Sequence, residues 1–98
     1  MDQERWRRLS FREQMGHITS EIVRAAHWEE RNDLESRSQS IGRALDLIDR
    51  SLDCHRGPRC RELARLREAL SSCFTEPPVY DIALSDLQRY GLSFLVVS

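Results

Sequence analysis

The sequence predicts an all-α fold, an antiparallel helical bundle of three main helices with a short C-terminal helix. Three observations predict it. Apolar residues recur at three- and four-residue spacing in three separate stretches. Helix-start signals, in which Ser or Asn is followed three residues later by Glu or Gln, stand at Ser10, Asn32 and Ser85. Gly and Pro are scarce, at 4 and 3 of 98 residues, and Gly-Pro and Pro-Pro fall between the periodic stretches rather than inside them. A chain of this length forms one domain, 1–98, with 1–9 as an N-terminal arm and 75–84 as a connector to the last helix.

The arm carries Trp6 and Leu9 among Arg5, Arg7 and Arg8. Trp6 is expected to pack back on the bundle; the alternative is an aromatic that stacks on single-stranded nucleic acid beside those arginines. Ser10 and Glu13 then form a capping box, so the first helix starts at Phe11. Phe11, Met15, Ile18, Ile22 and Ala25 or Ala26 share its core arc. His17, Glu21, Arg24 and Trp28, at i, i+4, i+7 and i+11, form a second, chemically mixed stripe.

Asn32 and Asp33 end this helix and both can cap the next, and the Asn32-to-Glu35 spacing nominates Asn32 as cap of that second helix, about Leu34 to Asp53. Ile41, Leu45, Ile48 and Leu52 make its seam, with Ala44 at the edge and Leu34 one heptad upstream. Gly42 costs about 1 kcal/mol relative to Ala, which a close approach of a neighbouring helix could offset. Asp46, Asp49 and Asp53 share one flank. A helix face has no wrapping loop to supply the oxygens calcium takes, so these carboxylates are expected to pair with arginine on the next helix.

The loop from Cys54 to Cys60 closes a helical hairpin, with Gly57 as breaker and Pro58 set for a first turn. Cys54, His55 and Cys60 lack the tight ligand pairs of structural zinc sites, and a fourth ligand such as Cys73 is remote, so no metal is assigned. An odd number of cysteines fits reduced thiols, with the loop pair facing solvent. A third helix, about Arg59 to Phe74, places Leu63, Leu66, Leu70, Cys73 and Phe74 on its core arc. Cys73 there is expected to be a small buried hydrophobe. Arg67 lies at the arc's edge and needs an anionic partner, either the acidic flank of helix two or Glu21. Pro77-Pro78 stops this helix, and Ser85 with Gln88 starts the last one, which includes Leu87, Tyr90, Gly91, Phe94 and Leu95. The apolar ending is expected to pack on the bundle or on a second subunit.

No Gly-rich phosphate loop, H-E-x-x-H or nucleophile elbow occurs. Cys54 and His55 are the one adjacent nucleophile and base, and neighbours on a loop rarely converge, so no catalytic residue and no cofactor is assigned. His17, Glu21, Arg24 and His27 could serve a small helical ribonuclease. The preferred interpretation is a polar seam of His17, Glu21, Arg24, Trp28, Asp46, Asp49 and Arg67 that holds helices or subunits in register. All 15 basic residues are arginine and none is lysine. A net charge of −1 argues against strong non-specific nucleic-acid binding by the whole chain but leaves room for a local patch at Arg5, Arg7, Arg8 and Arg12. No signal peptide or membrane span is evident, and a cytoplasmic protein is expected. The leading expectation is a non-enzymatic protein–protein interaction module, self-associating as a dimer that buries Trp6, Trp28 and the apolar tail. A nucleic-acid-binding accessory protein comes second and a ribonuclease third.

The pattern Trp6-x-x-Leu9-Ser10-x-x-Glu13-Gln14-x-Gly16-x-Ile18-x-Ser20-Glu21-x-x-Arg24-Ala25-x-x-Trp28, then Arg43-Ala44-Leu45-Asp46-Leu47, then Glu62-Leu63-x-Arg65-Leu66-Arg67-Glu68, resembles a family of short bacterial proteins to which no activity is assigned. It covers the chain to about Phe74 and implies a bacterial source without any chemistry. In size and helix order the chain is also similar to retroelement-accessory four-helix-bundle proteins, which form oligomers and bind nucleic acid. That likeness is architectural, and the short last helix departs from it.

Overall fold

Four helices follow one another in the computed structural model, which describes residues 2–72 and Arg89: α1 (Gln3–Arg7), α2 (Phe11–Glu30), α3 (Leu34–Leu52) and α4 (Pro58–Ser72). No strand occurs among the described residues. Helix α3 is central, packing against both α2 and α4, while α1 also lies on α3. This is the all-α bundle the periodicity predicts. Cys73, Phe74, the connector and the last helix lie outside the described residues.

Helix α2 starts where the capping box places it. The Ser10 hydroxyl accepts from the Glu13 N–H at 3.1 Å, and the Glu13 carboxylate accepts from the Ser10 N–H at 3.0 Å. The bond from the Ser10 N–H first, and then one from the Ser10 side chain, hold the Glu13 carboxyl below its usual range. The core is continuous across the three long helices. It comprises Met15, Ile18, Ile22 and Ala25 of α2, Ile41, Ala44 and Ile48 of α3, and Leu63, Leu66 and Leu70 of α4. Phe11, Leu45 and Leu52 sit at its rim, partly buried. Burying each large aliphatic side chain stabilises the fold by roughly 1.5–3 kcal/mol.

Three details of α3 correct the sequence-based expectations. Its N-cap is Asp33 rather than Asn32. The Asp33 carboxylate accepts from the Ser36 N–H at 3.1 Å and from the Ser36 hydroxyl at 2.9 Å. Asn32 instead takes the left-handed turn position, φ +59°, which its short polar side chain tolerates. Leu34, assigned to the seam, is 58% exposed. It occupies the first helical position, straight after the turn, and the buried arc runs through Ser40, Ile41, Ala44, Ile48 and Ser51. The face centres on Ala44, so Leu45 and Leu52 fall to its rim. Gly42 is exposed, and a Cβ added there meets nothing within 4 Å, so no close helix approach offsets its cost. Gly42→Ala is therefore expected to stabilise the protein by about 0.5–1 kcal/mol. An unchanged or lower urea midpoint would count against it.

The hairpin between α3 and α4 forms as expected. Gly57 adopts φ +70°, Pro58 opens α4, and the Gly57 carbonyl accepts from the Arg61 N–H at 3.1 Å. Among the described residues, no helix is long and apolar enough to cross a membrane.

Candidate interaction surface

The arm is built into the fold through Trp6. Asp2 caps α1 by accepting from the Arg5 N–H at 2.8 Å. The Trp6 side chain is 0% exposed, and its Nε1–H donates to the Ser51 hydroxyl of α3 at 2.9 Å. Ser51 in turn donates to the Leu47 carbonyl at 3.0 Å. Gln14, equally buried, donates from Nε2 to the carbonyls of Trp6 at 2.9 Å and Leu9 at 3.5 Å. Those two bonds orient the amide, so its Oε1 faces His55 Nε2 at 2.7 Å. An acceptor at that distance assigns the neutral His55 proton to Nε2. Gln3 completes the clasp, donating to the Arg50 carbonyl at 3.0 Å and to Cys54 Sγ at 3.6 Å.

This geometry revises the view of the loop. Cys54 and Cys60 are free thiols, both half-buried rather than solvent-facing, and Cys54 donates to the Arg50 carbonyl at 3.3 Å. His55 packs edge-on to Phe11, with ring centres 5.1 Å apart, and the Arg59 guanidinium lies 5.2 Å above the same Phe11 ring. Burial first, and then the charge of Arg59, lower the His55 pKa. The unfolded chain thus accepts a proton that the folded chain resists. Stability is complete above the ordinary histidine value, near pH 6.5, and is lost as pH falls from there towards the depressed folded value. His55→Gln is expected to flatten this part of the pH profile of the urea midpoint. Glu13 does not interfere, because its contribution declines only below the carboxylate value of 4.5.

The clasp brings three arginine-bearing pieces of chain to one end of the bundle. Helix α1 presents Arg5 and Arg7, with Arg8 at its end; α2 presents Arg12 in its first turn; the loop and the start of α4 present Arg56, Arg59 and Arg61. All are exposed. Arg8 pairs with Glu4 at 3.1 Å on the surface. The first four arginines stood out in sequence as a candidate patch, whereas the loop arginines did not. Their signal was present in the spacing Arg56-x-x-Arg59-x-Arg61 of a hairpin whose loop folds over the start of α2.

The seven residues expected to form one polar seam divide among five separate sets of contacts. Glu21 joins α2 to α3. Its side chain is 10% exposed, one oxygen accepts from Arg24 Nη1 at 2.6 Å and the other from Arg43 Nε at 2.9 Å. Arg43 also donates to the buried Ser40 hydroxyl at 3.1 Å. Arg67 pairs with Asp49 rather than Glu21, through Nε at 2.6 Å and Nη2 at 3.4 Å, and so ties α4 to α3. Asp46 pairs within its own helix, with Arg50 at 3.0 Å. Half-exposed pairs of this kind contribute about 0–1 kcal/mol each. His17 leaves the stripe to lie against Trp6, with ring centres 5.6 Å apart, and Trp28 lies against His27 at 5.1 Å. Both Glu21 oxygens are thus held by guanidiniums, one from α2 and one from α3.

An open groove of about 540 Å³ along α3 is lined by Glu21, Gln39, Gly42, Arg43, Asp46 and Leu47, three of which are engaged in the ion pairs above. Among the described residues, no group of three or more His, Cys, Asp or Glu side chains is placed to hold a metal ion, and every buried side-chain nitrogen or oxygen has a hydrogen-bond partner. No family model, curated protein or solved structure matches the chain.

Proposed function

We propose that the chain is a non-enzymatic interaction module that makes contact through the arginine-rich end of the bundle. The observation that supports this is the concentration of charge there. Residues 2–13 and 53–61 hold seven arginines against Asp2, Glu4, Glu13 and Asp53, a formal +3 within a chain of net −1. The other described segments, residues 14–52 and 62–72, carry −2. Because the buried clasp ties these segments together, the guanidiniums are arranged before a partner arrives, which lowers the ordering cost of binding. Above its isoelectric point of about 6.3, the folded protein is expected to be retained on a sulfonate cation exchanger despite its net negative charge. Combined Arg5→Glu, Arg7→Glu and Arg56→Glu changes should let it flow through. A parent protein that flows through as well would show that these charges do not act as a patch.

Self-association as a dimer is a second proposal. Trp6 is committed inside the chain and no longer supports it. What favours it is Leu34, a large apolar side chain 58% exposed just after the α2–α3 turn. Size exclusion with light scattering should give a dimer at tens of micromolar that Leu34→Glu dissociates, and a strict monomer would remove the idea.

A further inference from the structure

We infer that the arginine-rich end binds the phosphate backbone of a nucleic acid, without reading base sequence. The inference rests on the interaction-module proposal and names the partner of the same surface. Three observations carry it. The first is the chemistry of the donors: every exposed cation of the patch is a guanidinium, whose planar fork matches two phosphate oxygens at once.

The second is the lack of an apolar anchor at this end among the described residues. Trp6 is fully buried, and Phe11 is partly buried between His55 and Arg59. Among the described residues, the exposed large hydrophobic ones are Val23, in the middle of α2, and Leu34, at the start of α3. A protein partner is held chiefly by desolvated aromatic or aliphatic anchors, whereas a phosphate backbone needs only positive donors. The same lack removes base stacking as a source of sequence preference.

The third is the charge layout. The end carries +3 while the other described segments, residues 14–52 and 62–72, carry −2, so a polyanion is drawn to this end in preference to the rest of the described bundle, which orients encounter. The interspersed carboxylates, including the Glu4 partner of Arg8, keep the contact moderate and dependent on salt.

Fluorescence anisotropy with a labelled mixed-sequence single-stranded RNA and a labelled DNA duplex tests this, the two probes reporting which strand geometry fits better. Affinity should fall linearly on a log–log salt plot, with a slope of about −0.7 per contacted phosphate for the single strand and −0.9 for the duplex. Arg5→Gln, Arg7→Gln and Arg56→Gln together should weaken binding at least about tenfold at low salt and reduce the slope by about two to three. Arg31→Gln, at the α2–α3 turn, should change neither, and thermal melting establishes that the variants fold. Absence of binding at low salt overturns the inference, as does displacement of RNA by an equal charge of polyglutamate, which would point to an acidic protein. If the exchanger retains the protein but neither probe binds, the nucleic-acid assignment fails and the module proposal stands. If the exchanger does not retain it, the module proposal itself fails.

Discussion

Trp6→Ala is expected to destabilise the protein by about 3–5 kcal/mol, the range for removing a buried aromatic side chain. The indole is entirely shielded, so truncation leaves a cavity where α1 meets α3. It also removes the Nε1–H that Ser51 accepts. Helix α1 has five residues, far too few to persist without tertiary contacts, so the arm should detach and Gln14 should lose the carbonyl that orients it. Trp6→Phe separates the two effects: it keeps most of the ring volume, drops the indole hydrogen bond, and should cost about 1–2 kcal/mol. Urea unfolding followed by circular dichroism measures both. A loss below about 1 kcal/mol for the alanine variant would mean that the arm is not docked in solution.

Ile48→Ala should cost about 2–5 kcal/mol, while Leu34→Ala should change stability by no more than about 0.5 kcal/mol. Both residues belong to the seam that heptad spacing draws along α3, yet Ile48 is 0% exposed and Leu34 is 58% exposed. Measured below the concentration at which chains associate, the two should differ severalfold in effect. Similar losses at the two positions would mean that the first turn of α3 is buried after all.

That contrast shows what the sequence can and cannot reveal here. Periodicity located α2, α3 and α4, because a bundle core requires an apolar residue every three or four positions and Met15, Ile18, Ile22, Leu63, Leu66 and Leu70 satisfy it. The Ser10–Glu13 box located a helix start, because that signal is wholly local. The cap of α3 was displaced by one residue, since Asn32 and Asp33 both suit a cap and the choice turns on which of them takes a left-handed φ. That Trp6 packs back on the bundle was legible, but the hydrogen bonds of the clasp were not. The clasp joins Trp6 to Ser51 and Gln14 to His55 through single hydrogen bonds between residues far apart in the chain, and small polar residues leave no periodic trace. Partner choice among the charges was ambiguous for a related reason. Glu21 faced arginines on both sides, and only the crossing of α2 and α3 selects Arg43 over Arg67.

The docking of α1 on α3 also bears on the order in which the chain folds. Helices α2 and α3 are joined by a turn of three residues and can zip together through contacts close in sequence, which favours early formation. The Trp6–Ser51 contact spans 45 residues and must close a long loop for one small helix, a cost better met once the hairpin exists. Docking of the arm then falls on the native side of the folding barrier. Trp6→Ala should accordingly speed unfolding by most of its stability loss and leave the refolding rate nearly unchanged, whereas Ile48→Ala should slow refolding as well. In stopped-flow chevrons the first variant would shift mainly the unfolding limb, making the arm the part of the molecule that governs how long the folded state lasts.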